Sequence, residues 1–203
     1  MKYPEILINI PSDQRMYSFE GIDGSGKSTS IRLVQQEVLG HGVQAVAVHC
    51  ASDTILGNFL RENMKNLDPW QRHTLFIMDM IGIIRRHSVE SPSAILLWDR
   101  YIDSNVVSNK DTSPEDSARW VSCLPLPRRT FLYDIKPKVV ISQRSESAHD
   151  HSVDIEWQQL KYKRYLALAQ QQAERIVVVD ATQDRHVIAQ KVARVILDDL
   201  GVK

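Results

Sequence analysis

Residues 21–28, Gly21-Ile22-Asp23-Gly24-Ser25-Gly26-Lys27-Ser28, fit the pattern G-x-x-x-x-G-K-[ST] throughout, and these residue types at this spacing hold phosphate. Glycines let backbone N–H groups turn inward around a phosphate, and a helix beginning near Lys27 adds its positive N-terminal end. In such a loop Lys27 reaches the β- and γ-phosphates of a nucleoside triphosphate and the Ser28 hydroxyl ligates Mg2+. Gly21, Gly24, Ser25, Gly26 and Thr29 are expected to line the same cofactor site. A second group, Asp99-Arg100-Tyr101, follows the apolar run 94–98, at the carboxyl end of a strand where open α/β sheets place their ligands. The loop fixes a triphosphate donor and leaves the acceptor open, because kinases, GTPases and motor ATPases share it.

Short β-rich runs position these groups. They lie at 16–22, 43–49, 94–99, 130–135 and 175–180, and alternate with helical spacing at 27–40, 54–66, 69–89, 137–147, 154–173 and 184–200. That alternation predicts an α/β fold with a parallel five-stranded sheet between two helical layers. Asp68-Pro69 is a helix start, a capping carboxylate followed by proline in the first turn. On 154–173, Trp157, Leu160, Arg164, Tyr165 and Leu168 recur at three- and four-residue steps, which predicts a buried face there and puts Lys161, Lys163 and Gln170 in solvent. The polar stretches 108–115 and 145–153 read as loops.

At 203 residues the chain is long enough for one sizeable core. We expect one domain over 16–203, preceded by an extension over 1–15 whose Glu5-Ile6-Leu7-Ile8-Asn9-Ile10 run suits an edge strand, a dimer contact or a tail. The 25 basic side chains balance 25 acidic ones, so no charge surplus points to nucleic acid or an anionic membrane. Cys50 and Cys123 sit in no metal-ligand spacing and read as reduced thiols. No leader-like or membrane-spanning apolar stretch occurs, which predicts a cytoplasmic protein.

The stretch FEGIDGSGKST, 19–29, taken with LLWDRYIDSN at 96–105, resembles the thymidylate kinase family of nucleoside monophosphate kinases. The likeness continues through LDPWQRHTLF (67–76), TFLYDIKP (130–137), YLALA (165–169) and VVVDAT (177–182) in the family's order. It implies a P-loop kinase fold, a homodimer packed through helices near 54–89, and transfer of the ATP γ-phosphoryl group to a nucleoside 5′-monophosphate, dTMP above others. By the same resemblance Arg100 bridges the acceptor phosphate and the transferring group, Asp99 lies near Mg2+, Asp23 holds the acceptor's 3′-hydroxyl, and Asp180-Ala181-Thr182 passes the adenine. The bottom-up chemistry agrees: phosphoryl transfer needs two anionic substrates held in line and their charge offset by cations.

The likeness breaks on the acceptor side. The phosphate-binding arginine of the family's Arg-Glu-Pro-Gly-Gly-Thr run is His49 here, which offers fewer donors than a guanidinium. Phe76 keeps the aromatic that stacks on the pyrimidine, but the arginine expected four residues later is Met80; one helical turn apart, the two can equally be core. The lid expected over 143–155 offers Arg144, then His149 and His151. Tyr101, Ser104 and Asn105 are further acceptor-side candidates. Two other readings stay open: a related kinase with a different small-molecule acceptor, and an ATP-binding module without transfer, the latter disfavoured by Lys27, Ser28, Asp99 and Arg100 occurring together.

Overall fold

Residues 15–110, 112–145 and 155–202 are described by a computed structural model, the side chains of 143–145 excepted. The five β-rich runs become β1 (Met16–Glu20), β2 (Ala45–His49), β3 (Ile95–Asp99), β4 (Arg129–Asp134) and β5 (Ile176–Asp180). They form one all-parallel sheet in the order β2-β3-β1-β4-β5. The expected α/β fold is therefore observed. The strand leading into the phosphate loop is central, and every residue of it is buried.

Side-chain alternation on β1 divides the core. Tyr17 and Phe19 join Ile95, Leu97 and Phe131 under α1 (Lys27–Gly40) and α8 (Arg185–Leu200), which contribute Val34, Val192 and Ile196. Met16 joins Leu96 and Trp98 on the opposite face, under α3 (Pro69–Glu90) and α4 (Ile102–Ser108). Beside them α7 (Ile155–Gln171) lays Tyr165 and Ala169 on Leu132 and Ile176. The remaining helices are α2 (Ile55–Asn63), α5 (Pro114–Val121) and α6 (Pro137–Ser145). Asp68 and Gln71 close a capping box at the start of α3, as the Asp68-Pro69 pair predicts.

Three expectations are corrected. The segment after Asp99 holds α4 and α5, where sequence periodicity gave no helix: α4 is one seven-residue piece whose Asp103 and Ser104 point inward, and α5 starts at a Ser113 cap inside the stretch read as a loop. On α7 the buried positions are Gln158, Lys161, Tyr165 and Ala169, while Leu160 is 42% exposed. Ile84, within the 54–89 region that the resemblance implies for a dimer face, is core, with Ile77 and Ile81 packed against the same cluster. Exposed apolar residues on α2 and α3 are instead Ile55, Phe59, Trp70, Met78 and Val89.

Buried Asp103 explains how the short α4 is held. Arg175 donates to both its carboxylate oxygens, at 2.9 and 2.8 Å, and Thr130 Oγ1 donates at 2.8 Å. Removing one partner of a buried pair strands the other charge, so Arg175→Ala should cost roughly 3–5 kcal/mol. Urea denaturation measures this; a loss below about 1 kcal/mol, the level of an exposed pair, would refute it. Among the described residues no helix is long and apolar enough to cross a membrane.

Candidate active site

Between β1 and α1 the chain turns through three glycines of positive φ, Gly21, Gly24 and Gly26, that other residues would strain. Gly21 has φ 139°, and a Cβ there would lie 2.8 Å from the Tyr133 carbonyl oxygen. Gly26, the N-cap of α1, has φ 89° and supplies no capping side chain, so the first amides of α1 are left for an anion. Lys27 is folded over the loop, its ammonium donating to the carbonyls of Gly21 (3.1 Å) and Ile22 (2.8 Å) and to Ser25 Oγ (3.2 Å). Phosphate would take over those donors.

Burial first, and the Arg100 charge second, push the Lys27 ammonium down to about 7, against the opposing pull of Asp99, Asp23 and Glu20. A bound triphosphate favours the charged form and restores the ordinary value. ATP binding at about pH 8 should therefore take up close to one proton, and the uptake should shrink below about pH 7, where Lys27 is already charged. Calorimetry in two buffers of different ionisation enthalpy reads this; the same proton count at both pH values would contradict it.

Ser28 Oγ donates to Asp99 Oδ2 at 2.5 Å, which brings a hydroxyl and a carboxylate together beside the loop. Mg2+ takes one or two such oxygens and completes its shell with phosphate and water, so this pair fits it. No cluster of three or more His, Cys, Asp or Glu suited to a metal occurs among the described residues, and Mg2+ held this way needs none.

Arg100 has φ 68°, the one positive φ outside glycine among the described residues. A left-handed arginine costs about 1–2 kcal/mol, and its neighbours enforce it: Arg100 N–H donates to the Phe19 carbonyl and Tyr101 N–H to Glu20 Oε1. Glu20, fully buried, also accepts from Ser104 N–H, Ser104 Oγ and Tyr165 OH. Burial raises its pKa, with Asp103 adding to the effect and the donors opposing it. The kinked backbone turns the guanidinium toward the phosphate loop, where it donates to Asp23 Oδ1 at 2.5 Å. Asp23 Oδ2 accepts from Lys161 Nζ at 2.6 Å and Gln158 Nε2 at 3.0 Å. Burial alone would raise the Asp23 pKa; Arg100, Gln158 and Lys161 outweigh it and hold the carboxyl well below its ordinary range.

Beyond Arg100 opens a cavity of about 470 Å³. Asp23, Phe76, Met80, Arg100, Tyr101, Ser104 and Asn105 all border it, so the sequence-derived acceptor candidates converge with one exception. That exception is His49, which lines a separate cavity of about 250 Å³ beside Arg86 and His87. Its neighbours Val46, Val48 and Cys50 pack toward α3, and the two-residue period of a strand gives His49 the opposite parity. Cys50 borders the main cavity instead. Tyr101 contributes less than expected: its ring is fully buried on Trp98, and its hydroxyl donates to the Pro125 carbonyl. The Ser104 hydroxyl is committed to Glu20, and Asn105 Nδ2 donates to the Tyr101 carbonyl.

Sequence reasoning missed Arg72, His73, Trp157 and Lys161 on the cavity wall. Arg72 stands one helical turn before Phe76, a spacing visible in the sequence; Lys161 gave no signal, because its partner Asp23 is 138 positions away. At the end of β5, Thr182 N–H and Oγ1 both donate to Asp180 Oδ1, and Ala181 packs in the cluster that holds Ile22 of the phosphate loop. Arg144 lies in α6, its side chain outside the described residues, as are His149 and His151.

A phosphate loop on the central strand of this parallel sheet, with an arginine that touches the loop and borders a cavity, defines a P-loop phosphotransferase of the nucleotide kinase class. The family model described as thymidylate kinase matches residues 19–192, and the chain belongs to that family. It is 28% identical to the thymidylate kinase of Sulfurihydrogenibium sp. over 206 aligned residues, 90% of this chain and 95% of that one. The thymidylate kinase of Kosmotoga olearia is 30% identical, with 87% and 92% covered. That of Symbiobacterium thermophilum is 27% identical, with 88% and 91% covered.

Proposed function

We propose that this protein transfers the γ-phosphoryl group of ATP to dTMP, giving dTDP. The observation that carries the reading is Arg100, held in a left-handed backbone between the phosphate loop and the cavity that Phe76 borders. One residue there can touch both substrates.

Phosphoryl transfer asks the protein for position and charge more than for covalent chemistry. The loop amides from Gly21 to Thr29 hold the donor's β-phosphate, Lys27 swings from its carbonyl contacts onto the β- and γ-phosphates, and Asp180-Ala181-Thr182 borders the adenine. Ser28 and Asp99 would hold Mg2+, which would supply charge neutralisation to the phosphates. Arg100 aligns the acceptor phosphate with the transferring group and offsets their repulsion. Phe76 offers its face to the base, Asn105 a hydrogen bond, and Asp23 a carboxylate oxygen for a sugar hydroxyl.

Met80 supports a second reading, a related acceptor other than dTMP. It is 2% exposed and apolar at a position where a base-reading arginine is expected, so this wall selects by shape. ADP release measured across a panel of deoxy- and ribonucleoside monophosphates separates the two. The highest kcat/KM with dTMP supports the first; a clear preference for another monophosphate replaces it with the second.

A further inference from the structure

We propose that Lys161 is an acceptor-binding residue, an ammonium that contacts the phosphate monoester of the acceptor from the α7 side of the cavity. The inference rests on the reading that the acceptor carries a phosphate. Its side chain is 6% exposed, yet it borders the cavity shared by Phe76, Met80 and Arg100. An ammonium has three donors, and Lys161 spends one, on Asp23 Oδ2 at 2.6 Å; among the described residues its Nζ has no other hydrogen-bond partner.

The local charges favour an anion there. Asp23 is the carboxylate of both Lys161 and Arg100, one oxygen each, so two cations share one negative charge. Among the described residues Asp23 is the one carboxylate that hydrogen-bonds either cation; Glu20 bonds Tyr101, Ser104 and Tyr165 and Asp99 bonds Ser28, and both act on Arg100 only from a distance. A buried lysine is costly unless its charge is matched, and a phosphate dianion between Arg100 and Lys161 supplies the match. The α3 side offers the cavity the uncharged Phe76 and Met80 and one cation, Arg72. The α7 side offers Lys161 and the Trp157 ring, with Lys110 Nζ 4.6 Å and Arg164 5.7 Å from its centroid.

The test compares Lys161→Met and Lys161→Arg with the unaltered protein by calorimetry, titrating dTMP, thymidine and ATP separately. A charge-assisted hydrogen bond predicts that K161M weakens dTMP by roughly 10- to 100-fold, leaves thymidine and ATP within about twofold, and that K161R recovers most of the loss. Equal weakening of dTMP and thymidine would overturn the proposal, placing the lysine on the nucleoside or making it only a support for Asp23. Weakening of ATP as well, or no rescue by K161R, would also overturn it. If the unaltered protein neither binds nor phosphorylates dTMP, the proposed function fails. Inorganic phosphate titrated into the unaltered and K161M proteins then decides the matter, equal affinity counting against Lys161. Should K161M not fold, Lys161→Gln takes its place with the same expectations.

Discussion

Replacing Arg100 with alanine should lower kcat on the order of 1,000-fold or more, the effect of removing a cation aimed at the charge on a transferring phosphoryl group. The guanidinium reaches Asp23 in the phosphate loop while bordering the acceptor cavity; Lys161 also meets Asp23 there, but from α7 and on the other carboxylate oxygen. Its backbone allows strain to be separated from charge. At φ 68° alanine keeps the left-handed penalty and glycine relieves it. Arg100→Gly should therefore be as inactive as Arg100→Ala but more stable by about 1 kcal/mol. Coupled ADP-release rates and urea denaturation read the two effects. A glycine variant that keeps near-normal turnover would show that the left-handed turn, and not the guanidinium, is what transfer requires.

Lys27→Met should lower kcat by a similar factor, on the order of 1,000-fold. Methionine keeps the length and apolar stem of a side chain that is 5% exposed, so the loop retains its packing. What it loses is the ammonium, which hydrogen-bonds Gly21, Ile22 and Ser25 and turns to the phosphates when nucleotide enters. KM for ATP should rise less than kcat falls, because the loop amides and Ser28 still hold the donor, whereas charge develops most in the transition state. Steady-state kinetics with ATP varied give the split. A large rise in KM with kcat unchanged would make Lys27 a binding residue alone.

Where contacts are local, the sequence is readable. The helix predicted over 27–40 is α1 to the residue, because the Gly-Lys-Ser turn starts it and Gly40-His41-Gly42 ends it. The three central strands are short apolar runs because they are buried on both faces, and each of the five strands was expected within two residues of where it lies. Long-range polar pairing hid the rest. Gln158 and Lys161 look like solvated helix surface until Asp23, more than 130 positions earlier, is folded beside them. Asp103 and Ser104 broke the periodicity of α4 because they face Arg175 and Glu20. His49 was expected at the acceptor from its place in the sequence alone, and strand parity sends Cys50 there instead.

Transfer of a phosphoryl group from ATP to dTMP can be followed with γ-phosphate-labelled ATP incubated with dTMP and Mg2+. The label should move into dTDP, and Arg100→Ala and Lys27→Met should each nearly abolish that movement. Label that stays in ATP, or appears only as inorganic phosphate, would contradict that transfer.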